Sequence, residues 1–163
     1  MPDFPRPGIV FKDLTPMLLD PGGLQAAVDG LFDFAHEREV DLVVAAEARG
    51  FVLGGALAAR LGAGFVPARK PGKLPAATSS AEYSLEYGID ALEVHSDALA
   101  GGARVLVHDD LLATGGTAGA LCDLVEIAGA QVVGCAFVVE LSFLGGRSRL
   151  AGHDVSALID YEG

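Results

Sequence analysis

The run "RVLVHDDLLATGGTAGALCDLV", residues 104–125, narrows the possible folds more than any other stretch of the chain. Its first part, "ARVLVH", is apolar enough for a core strand and stops at two adjacent carboxylates, Asp109 and Asp110. Ala113, Thr114, Gly115, Gly116 and Thr117 follow as a loop rich in backbone donors, and Thr117 to Ile127 has the pattern of a helix. A strand, an acidic pair, a glycine turn and a helix in that order suit an open α/β sheet. Such sheets bind ligands beyond the carboxyl ends of their strands.

Closely spaced N–H groups before a helix can cradle a phosphate, because the helix start carries unpaired donors and a partial positive charge. The loop lacks both the Gly-x-x-x-x-Gly-Lys-Ser/Thr and the Gly-x-Gly-x-x-Gly patterns. On these grounds alone an ordinary strand-to-helix turn stays open as a reading. Asp109 and Asp110 narrow it, since adjacent carboxylates repel unless donors or a cation compensate. Vicinal ribose hydroxyls and hydrated magnesium are both suitable, so a diol clamp upstream of a phosphate nest describes a ribose 5-phosphate site.

The rest of the chain fits one α/β domain over residues 1–163 with a mostly parallel sheet. Prolines at 2, 5, 7, 16 and 21 break any long helix at the start, and a helix is predicted from about Gly23 to Glu37. Leu42 to Ala46 reads as a buried strand, "GFVLGGALAARLG" as a glycine-loosened helix, and "GFVPARKPGK" as a short strand entering a basic loop. Tyr83 to Val94 alternates as a hairpin or flap would, and "AQVVGCAFVVEL" is a further strand.

Charge separates the function classes. A formal charge of −11 argues against nucleic-acid binding, which needs a positive field. Yet Arg49, Arg60, Arg69, Lys70 and Lys73 place five of the 11 Lys and Arg residues in one short section, a distribution suited to a small polyphosphate. No apolar run is long enough for a membrane helix, and the start lacks the regions of a secretory signal. Cys122 and Cys135 are read as buried thiols in a reducing cytoplasm, with no cluster for structural zinc.

The segment Val105 to Thr117 resembles the phosphoribosyl-pyrophosphate signature of type I phosphoribosyltransferases. "FPRPGIVFKDLTPML", "VVAAEARGFVLG", "GFVPARKPGKLP", "YSLEYG" and "VVELSFLGGRSRL" are similar, in order, to segments of the adenine phosphoribosyltransferases. The resemblance implies a type I phosphoribosyltransferase fold, with helices flanking the sheet. Residues 1–22 would form a hood enclosing the base, residues 70–92 a flexible catalytic loop, and residues 104–125 the phosphoribosyl-pyrophosphate motif.

It also implies roles. Asp109 and Asp110 would hold the ribose hydroxyls, and residues 113–117 the 5-phosphate. Phe11 would stack on adenine, with Val10 and Lys12 offering main-chain groups to its polar edge. Arg49 and Lys73, ahead of Arg69 and Lys70, would face the pyrophosphate, while Glu47 and Ala48 shape that turn. Glu86 would be the acid/base and Tyr87 would help close the site. Magnesium would arrive with the substrate rather than in a cage of side chains. Adenine, phosphoribosyl pyrophosphate and AMP would be the ligands, in a cytoplasmic homodimer.

Two residues depart from the family pattern. Lysine stands at position 12 where arginine is common, and His108 occupies a place usually taken by an apolar strand residue. His108 reads as a packed or backbone-bonded histidine, with altered magnesium and pH behaviour as the alternative. Many relatives have a helix before the hood segment, whose lack would leave the hood less supported. The competing readings are an enzyme for another nucleobase, a regulator that senses the activated ribose without turnover, and a catalytically reduced paralogue.

Overall fold

The computed structural model describes residues 12–85, 88–99 and 101–163. Two helices come first, α1 (Thr15–Leu19) and α2 (Pro21–Ala35). The Asp20 carboxylate accepts the Gly23 N–H at 2.7 Å, and Pro21 occupies the first turn, so α2 starts two residues before the predicted Gly23. It closes through a 3-10 turn at His36–Arg38 rather than running on to Glu37 as one helix.

A five-stranded sheet follows, made of β1 (Leu42–Ala46), β2 (Gly64–Ala68), β5 (Arg104–Leu112), β6 (Gln131–Leu141) and β7 (Val155–Tyr161). Its order is β2-β1-β5-β6-β7, and every pairing is parallel. Helices α3 (Gly50–Leu61) and α4 (Gly116–Ile127) make the crossovers β1 to β2 and β5 to β6. The hairpin predicted across Tyr83 to Val94 is an antiparallel pair, β3 (Thr78–Leu85) and β4 (Gly88–His95).

The sheet is covered on both faces, which is why its strands read as continuous apolar runs. On one face α2 and α3 pack Val28, Leu31, Leu53 and Leu57 against Val43, Leu106 and Val138. On the other, α4 and the hairpin pack Leu121, Leu124, Leu92 and Val94 against Val44, Val107 and Phe137. Alternate residues of one strand therefore enter different cores.

One boundary corrects the sequence reading. β5 does not stop before the acids but runs through them to Leu112, paired with β6 at Asp109↔Phe137 and Leu111↔Val139. The 11-residue β6 is long enough to carry the ladder onward. On its other side β5 loses β1 after Ala45↔His108. From β1 the chain proceeds outward to β2, and from β5 it proceeds the opposite way to β6 and β7. The acids thus begin where the ladder opens, at the crevice between strands whose connections diverge.

Candidate active site

Asp109 and Asp110 stand on that open edge. The Asp109 Oδ1 accepts the Asp110 N–H at 2.9 Å, and the Asp110 Oδ2 pairs with Arg49 Nε at 2.9 Å. Burial, then the neighbouring Asp110 charge, push the Asp109 carboxyl well above the usual range. A donor or cation arriving here would relieve that cost. Gly50, opening α3, permits the close approach, for a Cβ there would lie 2.9 Å from Asp109 Oδ1.

The turn from β1 into α3 supplies a second wall. The Glu47–Ala48 peptide is cis. Glu47 accepts Arg69 Nε at 2.9 Å through one carboxylate oxygen and Lys73 Nζ at 2.8 Å through the other. Burial opposes its ionisation, but the hydrogen bonds from Lys73 and Arg69 outweigh it and hold the carboxyl below its ordinary value. Lys70 donates to Asp90 and to Tyr83 Oη, tying the basic loop to the hairpin. Glu47, Ala48, Arg49, Lys70, Tyr83, Asp109, Asp110 and Thr117 line one cavity of about 200 Å³.

The loop predicted to hold a phosphate lies beside it. Gly115 has φ +81°, a left-handed conformation natural to glycine, and α4 begins at the next residue without a side-chain cap. The N–H groups of its first turn have no partner within the helix. Residues 111–118 enclose a separate space of about 60 Å³. The loop is held from behind by the 3-10 turn Gly146–Leu150. A Cβ on Gly115 would fall 2.4 Å from the Gly146 carbonyl oxygen, and one on Gly146 would fall 2.3 Å from that of Ala113. A larger opening of about 450 Å³ lies along α4 and the hairpin, but the acids and basic groups converge on the smaller cavity.

Several residues with work to do escaped the sequence reading. Glu47 was expected to shape a turn, and its bridging of two loop cations needs three-dimensional proximity of positions 47, 69 and 73. Glu140, almost fully buried, takes two hydrogen bonds of 2.9 Å from Arg147 Nε, while Arg147 Nη1 donates to the Val155 carbonyl at 2.9 Å. That pairing pins the turn bearing Gly146, and its trace in the sequence is the "VVELSFLGGRSRL" segment.

The other predicted residues are placed as follows. Lys12 directs its ammonium to the Tyr161 ring, 3.9 Å from the centroid. Thr114 lines the 60 Å³ space, and Ala113, Gly115, Gly116 and Thr117 share it. Val10, Phe11, Glu86 and Tyr87 lie outside the described residues. His108 is fully buried and its Nδ1–H donates to the Ala136 carbonyl at 2.8 Å, which is the backbone-bonded reading. Cys122 and Cys135 are buried free thiols with their sulfurs 3.7 Å apart.

Comparison with known proteins gives the same lineage. The family profile described as "Phosphoribosyl transferase domain" matches residues 17–154. The adenine phosphoribosyltransferase of Rubrobacter xylanophilus is 58% identical over 162 residues, covering 99% of this chain and 88% of that protein. The crystal structure of the Thermoanaerobacter pseudethanolicus adenine phosphoribosyltransferase superposes with a TM-score of 0.96 at 53% identity, over 99% of this chain and 94% of that one. The Saccharomyces cerevisiae enzyme, solved with an imino-altritol bisphosphate and adenine, gives a TM-score of 0.90 at 42% identity, over 97% and 92%. By descent as well as by architecture, the chain belongs to the adenine phosphoribosyltransferase family.

Proposed function

We propose that the protein transfers the phosphoribosyl group of 5-phosphoribosyl 1-pyrophosphate to adenine, forming AMP and pyrophosphate in purine salvage. The observation that carries this reading is an acid pair and paired cations around one cavity, with a glycine loop at a helix start beside it. Each part answers one portion of the activated ribose. The yeast relative's complex with adenine supports the choice of base.

In this reading the 5-phosphate rests on the N–H groups of residues 113–117, where α4 begins. Asp109 and Asp110 accept from the ribose hydroxyls, which offsets the repulsion between them. Arg49, Arg69 and Lys73 face the pyrophosphate and stabilise the charge that grows on it as the C1′–oxygen bond lengthens. Phe11 packs on adenine, with Val10 and Lys12 presenting main-chain groups to its edge, and Tyr161 steadies Lys12 from beyond the hood. Glu86 accepts the proton that the attacking purine nitrogen must lose. Tyr87 and closure of residues 70–92 keep water from the activated ribose.

Magnesium fits this donor set as a substrate-borne ion. The perturbed Asp109 beside Asp110 suits a cation shared with substrate oxygens. When bound, the ion would neutralise pyrophosphate charge. The family resemblance further supports a homodimer. The two free buried thiols suit a cytoplasmic location, and no helix among the described residues is long and apolar enough to cross a membrane.

The test is AMP formation from adenine, phosphoribosyl pyrophosphate and magnesium, with Glu86→Gln as the variant. The expected loss is about 10²- to 10⁴-fold in kcat with substrate binding retained. Full activity in the variant would remove Glu86 from proton transfer, and no AMP from the native protein would refute the function.

A further inference from the structure

Around the 200 Å³ cavity each cation is engaged by a carboxylate. Arg49 pairs with Asp110, Lys70 with Asp90, and both Arg69 and Lys73 with Glu47. Glu47 is distinct among these acids. Like Asp110 it is largely buried and lines the cavity, but its two oxygens are divided between two cations. Both cations remain partly open to solvent, at 38% and 51% side-chain exposure, and bound a five-residue segment that also closes on itself through Arg69 Nη1 and the Lys73 carbonyl, 3.3 Å apart. A wall suited to a polyanion is therefore already partly neutralised by the protein's own anions.

We propose that Glu47 is a resident counter-ion for the pyrophosphate wall, a positioning residue that holds Arg69 and Lys73 until the substrate's pyrophosphate displaces it and takes them back when the product leaves. The proposal rests on the assignment of this cavity to pyrophosphate. In the empty site the pairs hold two long side chains against Glu47 on the cavity's wall, which spares part of the ordering cost on binding. During binding the pyrophosphate exchanges one anionic partner for another, so its affinity reflects the difference between the two. A weaker hold on product is the expected consequence, and it favours turnover.

Direct binding of magnesium pyrophosphate, measured by calorimetry, tests this in native protein, Glu47→Gln, Lys73→Met and the double variant. Glu47→Gln keeps the shape and removes the charge. Two partly exposed pairs are lost from the competition, so binding should tighten by about five- to tenfold. Simple repulsion between Glu47 and the ligand would also tighten binding, but would add independently of Lys73. Exchange of partners requires coupling: Lys73→Met should cost more affinity in the Glu47→Gln background than in the native one.

Unchanged or weaker binding in Glu47→Gln, or equal Lys73→Met costs in both backgrounds, would overturn the proposal. If the glutamine variant does not fold, Glu47→Asp serves instead. It keeps the charge but reaches less far, and should tighten binding by about two- to threefold as one pair is lost; no tightening would overturn the proposal equally. Failure of the native protein to bind pyrophosphate at all is a different result, since it would refute the assignment of the cavity itself.

Discussion

Replacing His108 with valine should flatten the acid side of the protein's stability curve. The imidazole is fully buried against Gly54 of α3, where a Cβ would come within 3.3 Å of its Cδ2. Nδ1–H is spent on the Ala136 carbonyl, and Nε2 is buried without a hydrogen-bond partner among the described residues. Burial outweighs the carbonyl hydrogen bond and lowers the pKa from 6.5 to about 4. Above pH 6.5 the ring is neutral in folded and unfolded chains alike, so it contributes no pH dependence. As the pH falls through that value the unfolded chain takes up a proton that the folded one refuses, and stability is lost until the folded ring also titrates near pH 4. The loss is about 2 kcal/mol between roughly pH 7 and pH 5, and about 3 kcal/mol by pH 4.

Denaturant unfolding of native protein and His108→Val across that range reads the difference directly. Every other group is common to the two proteins, so its contribution cancels in the difference. At neutral pH the variant relieves the bare Nε2 but strips the Ala136 carbonyl of its donor, opposing effects of about 1–3 kcal/mol each. Neither depends on pH over this range. The variant should therefore gain on the native protein by about 2 kcal/mol as pH drops from roughly 7 to 5. Parallel stability curves for the two proteins would refute the reasoning.

Two further outcomes follow from the loop and the acid pair. Gly146→Ala should raise KM for phosphoribosyl pyrophosphate by about ten- to a hundredfold while leaving KM for adenine nearly unchanged, because its Cβ would press on the Ala113 carbonyl, and steady-state kinetics separates the two. Asp110→Asn removes the neighbouring charge that, after burial, raises the Asp109 pKa, so the acid limb of magnesium phosphoribosyl-pyrophosphate binding should move to lower pH; a limb that stays in place would show that Asp109 is not the titrating group.

The parts of this molecule that were legible in its sequence are those encoded locally. The β5–loop–α4 unit shows in one continuous run, because apolar strand residues, a glycine able to take φ +81° and a helical pattern all lie within 22 positions. The hairpin shows through alternation, and the parallel sheet through strands apolar on both faces. What stayed hidden depends on the chain's return. Whether β5 ends at His108 or continues to Leu112 is decided by how far β6 extends beside it. The buttress behind the 113–117 loop needs Gly146 and Gly115 to meet across 31 positions, held there by Glu140 and Arg147. Nor does the spacing of 47, 69 and 73 announce that one carboxylate serves both cations.

Pyrophosphate release from purified protein with magnesium and phosphoribosyl pyrophosphate, offered adenine, guanine, hypoxanthine, xanthine and uracil in separate reactions, tests the functional claim most directly. Release with adenine alone, matched by equal AMP, is the predicted result. Turnover of an oxo-base in place of adenine would contradict the base assignment, and tight binding of the activated ribose without turnover of any base would contradict the enzyme.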